Sequence, residues 1–146
     1  MSKKAFTLIE ILLVIGIIVI LAGAIIVAIN PGRQLARTRD TQRINALNQY
    51  LSAITQNETE YGRFTCASAN DTLPENMATI STSTNDNGYV NLSCLIGPQF
   101  AGDLPSDPLD NDPTGTGYTV QYNSSTRRIT VCAPLMEINP NKCLTR

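Results

Sequence analysis

The chain has 146 residues, a formal net charge of −1, four cysteines, no histidine and no tryptophan. That length suits one domain of ordinary size. Nucleic-acid binders usually carry a clear basic excess, so the near-neutral charge argues against that class. The absence of histidine removes the commonest acid–base group and metal ligand at neutral pH. Composition therefore favours a membrane-tethered or exported protein, and we do not expect an enzyme.

The hydrophobic residues are concentrated near the N-terminus. Residues 11–29 contain neither a charge nor a hydrogen-bonding side chain. As an α-helix this stretch rises about 28 Å, close to the thickness of the hydrocarbon core of a bilayer. In lipid the backbone must satisfy its own hydrogen bonds, so even this isoleucine- and valine-rich segment becomes helical. We predict a membrane-spanning helix, and a buried helix of a soluble domain is the alternative.

The basic residues on either side of this span do not decide its orientation. Two precede it and four follow it: Lys3, Lys4, Arg33, Arg37, Arg39 and Arg43. The four cysteines all lie in the C-terminal part, where an oxidising compartment would pair them. We therefore expect a single pass through the cytoplasmic membrane with the C-terminal domain outside. A cleaved secretory signal is the weaker alternative, because the apolar stretch is too long for one.

The segment that leads into the span carries a specific motif. Residues 3–10 read KKAFTLIE and are followed by the apolar run. Over residues 3–29 the chain resembles the type IV pilin and pseudopilin family. The resemblance implies that residues 1–5 are a cytoplasmic leader peptide. A prepilin peptidase would cleave between Ala5 and Phe6 and methylate the new amine of Phe6. The family usually has glycine before the cleavage point, where this chain has Ala5.

Glu10 is the one charge between Phe6 and Ile29. An ionised carboxylate inside a bilayer costs at least ~2.5–3.5 kcal/mol, though less near the interface, so something must compensate it. The pattern Thr7-x-x-Glu10 fits a capping box at a helix start. The resemblance implies a second role, in which Glu10 pairs with the amine of Phe6 on a neighbouring subunit and sets the stagger between subunits. We favour the second role, and the two are compatible before assembly.

The resemblance also implies a function and a set of partners. Residues 6–29 would form the transmembrane and filament-core helix of a pilus or pilus-like filament, a homopolymer or a mixed filament with other pilins. Implied partners are membrane lipid before assembly, a prepilin peptidase, an assembly ATPase and an inner-membrane platform protein. The filament would be extracellular or periplasmic. Alternatives are a subunit like the major pseudopilin of type II secretion, or a membrane-anchored or secreted binding domain that never polymerises.

Residues 30–146 are predicted to form an extracytoplasmic, pilin-like α+β domain. Asn30-Pro31-Gly32 predicts a kink or a locally melted segment. Residues 35–61 then read as an amphipathic helix, with Ile44, Leu47, Leu51 and Ile54 on one stripe. We expect the opposite face, with Arg37, Arg39 and Arg43, to be solvated or to contact another subunit. Binding of anionic lipid headgroups is the alternative for those arginines.

The second half of the chain alternates between loop composition and strand-like runs. Residues 66–88 are rich in Ser, Thr, Asn and Asp and predict a loop. Strands are predicted over residues 89–96, 118–122 and 127–132. The simplest architecture is a long N-terminal helix, half membrane-spanning and half amphipathic, packed on a small antiparallel sheet of three or four strands.

The cysteines predict disulfides and not a metal site. With no Cys-x-x-Cys pair and no histidine, zinc is not expected. Cys66, Cys94, Cys132 and Cys143 allow three connectivities. We prefer Cys132–Cys143, which resembles the disulfide-bounded C-terminal loop of many pilins, together with Cys66–Cys94 across the polar segment.

An acidic segment follows, with Asp107, Asp110 and Asp112 within six positions. Such a loop offers the oxygen ligands that calcium takes. Residues 104–108, LPSDP, resemble a segment of the major pseudopilin of type II secretion, near which a calcium site lies. The Trp-Gly usual after that segment is replaced by Leu109-Asp110. Asp and Pro also make good turns. We favour a solvated turn, keep calcium as the alternative and expect no other cofactor.

Overall fold

A computed structural model describes residues 6–86, 88–97 and 102–146. The chain forms two compact units, Met1–Ala36 and Arg37–Arg146. Ala5 and therefore the predicted cleavage point lie outside the described residues.

The first unit is dominated by helix α1, Leu8–Ala28. Thr7 is its N-cap, and the Thr7 hydroxyl accepts a hydrogen bond from the Glu10 N–H at 3.3 Å. Asn30 then caps the next helix, because its side-chain oxygen accepts from the Arg33 N–H at 3.2 Å. Pro31 occupies the first helical position, where a missing N–H costs nothing. The predicted interruption is thus confined to Ile29 and Asn30, and a new helix starts at once.

Helix α2 runs from Pro31 to Tyr61. It begins four residues before Leu35, where the sequence pattern predicts its start. The predicted apolar stripe is confirmed by Leu47, Leu51 and Ile54, which are buried. The helix ends before Gly62, whose φ of +73° is the left-handed conformation that glycine adopts at helix C-termini. The chain after the helix is held back by Asn57, whose amide makes two hydrogen bonds to the backbone of Thr65.

Within the described residues, five strands form one mixed sheet in the order β2-β1-β3-β4-β5. They are β1 (Ala78–Ser81), β2 (Tyr89–Asn91), β3 (Gly115–Asn123), β4 (Arg128–Ala133) and β5 (Lys142–Thr145). Strands β1 and β2 pair in parallel, and the other neighbouring pairs of this sheet are antiparallel. The α+β class is confirmed, whereas an entirely antiparallel sheet of three or four strands is wrong. Strand β1 lies inside the segment predicted as loop, and β5 was not predicted.

The core of the second unit lies between α2 and the sheet. Buried residues of α2 and of the sheet form one hydrophobic cluster, to which the sheet contributes Ile80, Val120 and Val131. The rings of Tyr50 on α2 and Tyr118 on β3 lie 5.5 Å apart between centroids. This contact packs α2 against β3.

Both disulfides have the preferred pairing, Cys66–Cys94 and Cys132–Cys143. The second bridge joins residues that are direct partners in the β4–β5 ladder, with Cα atoms 4.0 Å apart. It closes the segment between the two strands. The first joins two short 3₁₀ turns across the polar segment.

Candidate assembly helix and buried ion-pair cluster

Helix α1 is apolar around its whole circumference. Its Leu8–Val27 stretch is long and apolar enough to cross a membrane, and none of it is buried within the protein. Phe6 is 77% exposed and Val27 is 87% exposed. A helix that is hydrophobic on all sides is normally covered by protein or by lipid. This helix therefore has the surface of an element that lies in a bilayer or among other helices.

Glu10 lies in the first turn of α1 and is exposed, as is Phe6. A negative charge is favourable there because the unpaired N–H groups of a helix start carry partial positive charge. The predicted helix-start role of Thr7 is confirmed by its hydrogen bond to the Glu10 N–H. The Glu10 carboxylate thus sits beside the N-terminal end of an otherwise apolar cylinder.

The second unit contains a buried ion-pair cluster, made of Arg39, Asp40, Arg43, Asp107 and Glu137. Its centre is Arg43, whose side chain is completely buried. The Arg43 guanidinium donates to both oxygens of Asp107, at 2.6 and 2.9 Å. It also donates to Asp40 at 2.9 Å and to Glu137 at 3.0 Å. Charge-assisted, bidentate bonds of this kind fix geometry strongly.

The carboxylates of the ion-pair cluster also bind backbone and a second arginine. Asp40 accepts hydrogen bonds from the N–H groups of Glu137 and Ile138, at 3.0 and 2.9 Å. Glu137 accepts two bonds of 2.6 Å from Arg39. The cluster therefore ties α2 to two loops, one before β3 and one between β4 and β5.

The prediction that the arginines of α2 lie on a face that is solvated or contacts another subunit is wrong for two of them. Arg43 is buried and Arg39 is partly buried in an ion pair with Glu137, whereas Arg37 is exposed. The physical reason is that the neutralising carboxylates come from loops far along the chain. One signal was present in the sequence, because Arg43 precedes Leu47 by four residues and so lies on the buried stripe.

The three aspartates of the predicted calcium segment all have protein partners. Asp107 binds Arg43 and accepts from the Leu109 N–H at 2.9 Å. Asp110 accepts from the Asp112 N–H at 3.0 Å. Asp112 accepts from the Thr114 N–H and from the hydroxyl of Tyr89. Within the described residues, no group of three metal-ligating side chains is gathered, and we do not propose calcium as part of the function.

A glycine explains how closely this acidic segment lies against β3. Gly117 has φ of +78°, and a Cβ atom there would stand 2.7 Å from Cβ of Asp107. The N–H of Asp107 meanwhile donates to the carbonyl of Thr116 at 2.8 Å. Because the two backbones approach closely, the Asp107 carboxylate lies within hydrogen-bond distance of the Arg43 guanidinium.

The ion pairs lower the pKa of two carboxyl groups. Hydrogen bonds from Arg39, reinforced by Arg43, lower the pKa of Glu137 to about 2. Burial raises the pKa of Asp40, but the N–H groups of Glu137 and Ile138 together with Arg43 more than reverse this, and the net shift is downward. Both groups are thus held ionised in the folded protein.

We expect the free energy of unfolding to fall in acid. Because the pKa of Glu137 is lower in the folded state than its ordinary value of 4.5, its contribution is complete above that ordinary value and is lost as pH falls towards about 2. Urea unfolding measured at a series of pH values tests this. Glu137→Gln should flatten the acid limb of the curve, whereas the exposed Glu60→Gln should leave it unchanged. Equal curves for wild type and Glu137→Gln would contradict the assignment.

We also expect each disulfide to stabilise the second unit. In the chain-entropy model, the 28-residue separation of Cys66–Cys94 contributes about 3.5 kcal/mol and the 11-residue separation of Cys132–Cys143 about 3 kcal/mol. Urea unfolding of the two double-serine variants measures both. A larger loss for the Cys132→Ser, Cys143→Ser variant would mean that the C-terminal bridge acts mainly by positioning Glu137.

No protein-family model, no curated protein and no solved structure matches this chain.

Proposed function

We propose that this protein is a structural subunit of a type IV pilus or pilus-like filament. A prepilin peptidase removes residues 1–5 and methylates Phe6. The subunit is held by α1 in the cytoplasmic membrane, with its C-terminal unit outside, and α1 later becomes the filament core. The role is structural and not catalytic. An assembly ATPase and an inner-membrane platform protein would drive the transfer from lipid to filament.

The observation that carries this proposal is the surface of α1. All its described side chains between residues 8 and 27 are exposed, and Glu10 is its one charged residue. Lipid covers such a surface in the membrane, and copies of the same helix can cover it in a filament. The carboxylate of Glu10 would then be neutralised by the Phe6 amine of a neighbouring subunit. A plain membrane anchor can use Glu10 at its helix start but has no use for its pairing with a neighbouring amine, so the pairing distinguishes the filament from the anchor.

The second unit supports the same proposal. A stable α+β unit that carries two disulfides suits exposure outside the cytoplasm. Helix α2 packs on the sheet and presents no apolar stripe of its own to solvent, so the strongest candidate for polymerisation is α1. In this proposal the N-terminal helix serves assembly and the C-terminal unit is displayed.

The second candidate is a subunit like the major pseudopilin of type II secretion, which would form a periplasmic filament. The observation that favours it is the LPSDP segment of residues 104–108, which resembles that family's sequence before the last strands. In the present fold this segment supplies Asp107 to the ion-pair cluster. The two candidates share processing and polymerisation and differ in where the filament lies.

The deciding experiment is the intact mass of the mature protein, with N-terminal fragmentation, from membrane and sheared-surface fractions. We expect a chain that begins at Phe6 and carries one added methyl group. Recovery from the sheared fraction would favour the pilus, and recovery from the cell envelope alone would favour the periplasmic filament. A chain that begins at Ile25, or one that retains Met1 or Ser2, would overturn the proposal in favour of a secreted or permanently anchored domain.

A further inference from the structure

A cleft of about 790 Å³ lies at the C-terminal end of α2, within the second unit. It begins at Glu58, fifteen residues after Arg43, which on a straight helix is about 22 Å away. Its walls are the turn after α2, the segment before β1 and the β3–β4 end of the sheet. The cleft is therefore separate from the ion-pair cluster. Its volume is in the range of small-molecule sites, about 300–1,000 Å³.

The walls of this cleft are held in place by hydrogen bonds. Asn57 binds the backbone of Thr65 on one side. On the other side, the Tyr122 N–H donates to the carbonyl of Pro74 at 2.7 Å. The Gln121 amide donates to the carbonyl of Glu75, also at 2.7 Å. A ligand would thus enter a site that already exists, at little cost in ordering the protein.

The floor of the cleft is apolar and its edge is charged. Phe64 and Leu73 are buried, and Tyr122 is partly buried beside them. The charged lining residues are Glu58, Asp71 and Glu75 on the negative side and Arg63 and Arg127 on the positive side. The balance is one negative charge, so the site as a whole favours a cation over an anion.

Glu58 differs from the carboxylates of the ion-pair cluster. Asp40, Asp107 and Glu137 each bind an arginine. For Glu58, within the residues that the structure describes, no hydrogen bond or ion pair is found, although burial raises the pKa of its carboxyl group. Burial removes part of the water that would otherwise bind such a carboxylate. An incoming cation stabilises it, because the cation supplies the hydrogen-bond donor that the carboxylate lacks.

We propose that this cleft binds a small organic cation, an ammonium group on an apolar body, with the ammonium against Glu58 and the body on Phe64, Leu73 and Tyr122. The ring of Tyr122 adds a second attraction for the cation through its face. Arg63 and Arg127 are exposed at the edge of the cleft, and their charges repel a ligand that carries a second positive charge. The inference does not depend on whether the protein polymerises.

The test uses the full chain in detergent micelles, labelled with ¹⁵N and titrated with phenethylamine. We expect saturable shifts of the amide signals of Phe64, Leu73 and Tyr122. The neutral isostere 2-phenylethanol, in the same micelles, separates charge recognition from partition into the apolar floor or the detergent. Loss of a charge-assisted hydrogen bond weakens binding by about tenfold or more, so 2-phenylethanol should bind at least that much more weakly.

Two matched variants complete the test. Glu58→Gln keeps the shape of the side chain and removes its charge, and it should weaken phenethylamine binding by about tenfold or more. Glu60→Gln makes the same change two residues away, outside the lining, and should bind like the wild type. The amide spectrum itself reports whether either variant is folded. Equal binding of the amine and the alcohol, or unchanged binding by Glu58→Gln, would overturn the proposal, as would shifts confined to other parts of the chain.

Discussion

Replacing Glu10 with glutamine is expected to abolish filaments in the sheared-surface fraction while the protein still accumulates in the membrane. In the proposed filament, the Glu10 carboxylate neutralises the Phe6 amine of a neighbour inside an apolar core. Removing one partner of a buried ion pair leaves an uncompensated charge, which typically costs ~3–5 kcal/mol at each contact. The penalty recurs at every subunit, so assembly should fail outright.

Glutamine is the informative replacement because it separates the two roles of Glu10. A glutamine at the third position of a helix can still complete a capping box, so the helix start is preserved and only the charge is lost. The matched control is Thr7→Val, which removes the observed hydrogen bond to the Glu10 N–H and keeps the charge. Filaments from Thr7→Val but none from Glu10→Gln would support the pairing role. Normal filaments from Glu10→Gln would count heavily against it.

Replacing Arg43 with methionine should be the most damaging single change to the stability of the second unit. Arg43 is completely buried, and its loss would leave Asp40 and Asp107 buried without their cation. Breaking a buried ion pair in this way typically costs ~3–5 kcal/mol. Urea unfolding of the full chain, followed by the fluorescence of the buried Tyr50 and Tyr118, measures the loss.

Arg37→Met is the matched control, since Arg37 lies on the same helix and is exposed. We expect it to change the free energy of unfolding by less than about 0.5 kcal/mol. The double variant Arg43→Met, Asp107→Asn removes both the guanidinium and the Asp107 charge that Arg43→Met alone would leave buried without a cation. Its loss of stability should therefore be smaller than the sum of the losses of the two single variants. Additive losses would mean that Arg43 and Asp107 do not interact energetically.

The elements with a local signal were predictable from the sequence. The apolar span gave α1, and the stripe that contains Leu47 and Ile54 gave the buried face of α2. The strands predicted over residues 118–122 and 127–132 correspond to β3 and β4. In each case the pattern of apolar residues over a few turns or a few positions already determines which side is buried.

The elements without such a signal were missed for physical reasons. Strand β1 has four residues in a polar stretch and forms because β3 pairs with it. Strand β5 is mostly exposed, and its position is fixed by pairing with β4 and by the Cys132–Cys143 bridge. The ion-pair cluster depends on Asp107 and Glu137, whose approach to Arg43 follows from tertiary packing and leaves no periodic trace in the sequence.

The long sequence separations within the ion-pair cluster also bear on the order of folding. Arg43 is joined to partners that lie 64 and 94 positions later in the chain. Closing such long loops is slow, because chain entropy is lost before the contact is gained. While the chain is being synthesised, α2 therefore carries a cation whose first distant partner, Asp107, emerges 64 residues later and whose second, Glu137, emerges 94 residues later. The ion-pair cluster of the second unit is thus completed only after most of the chain has been made.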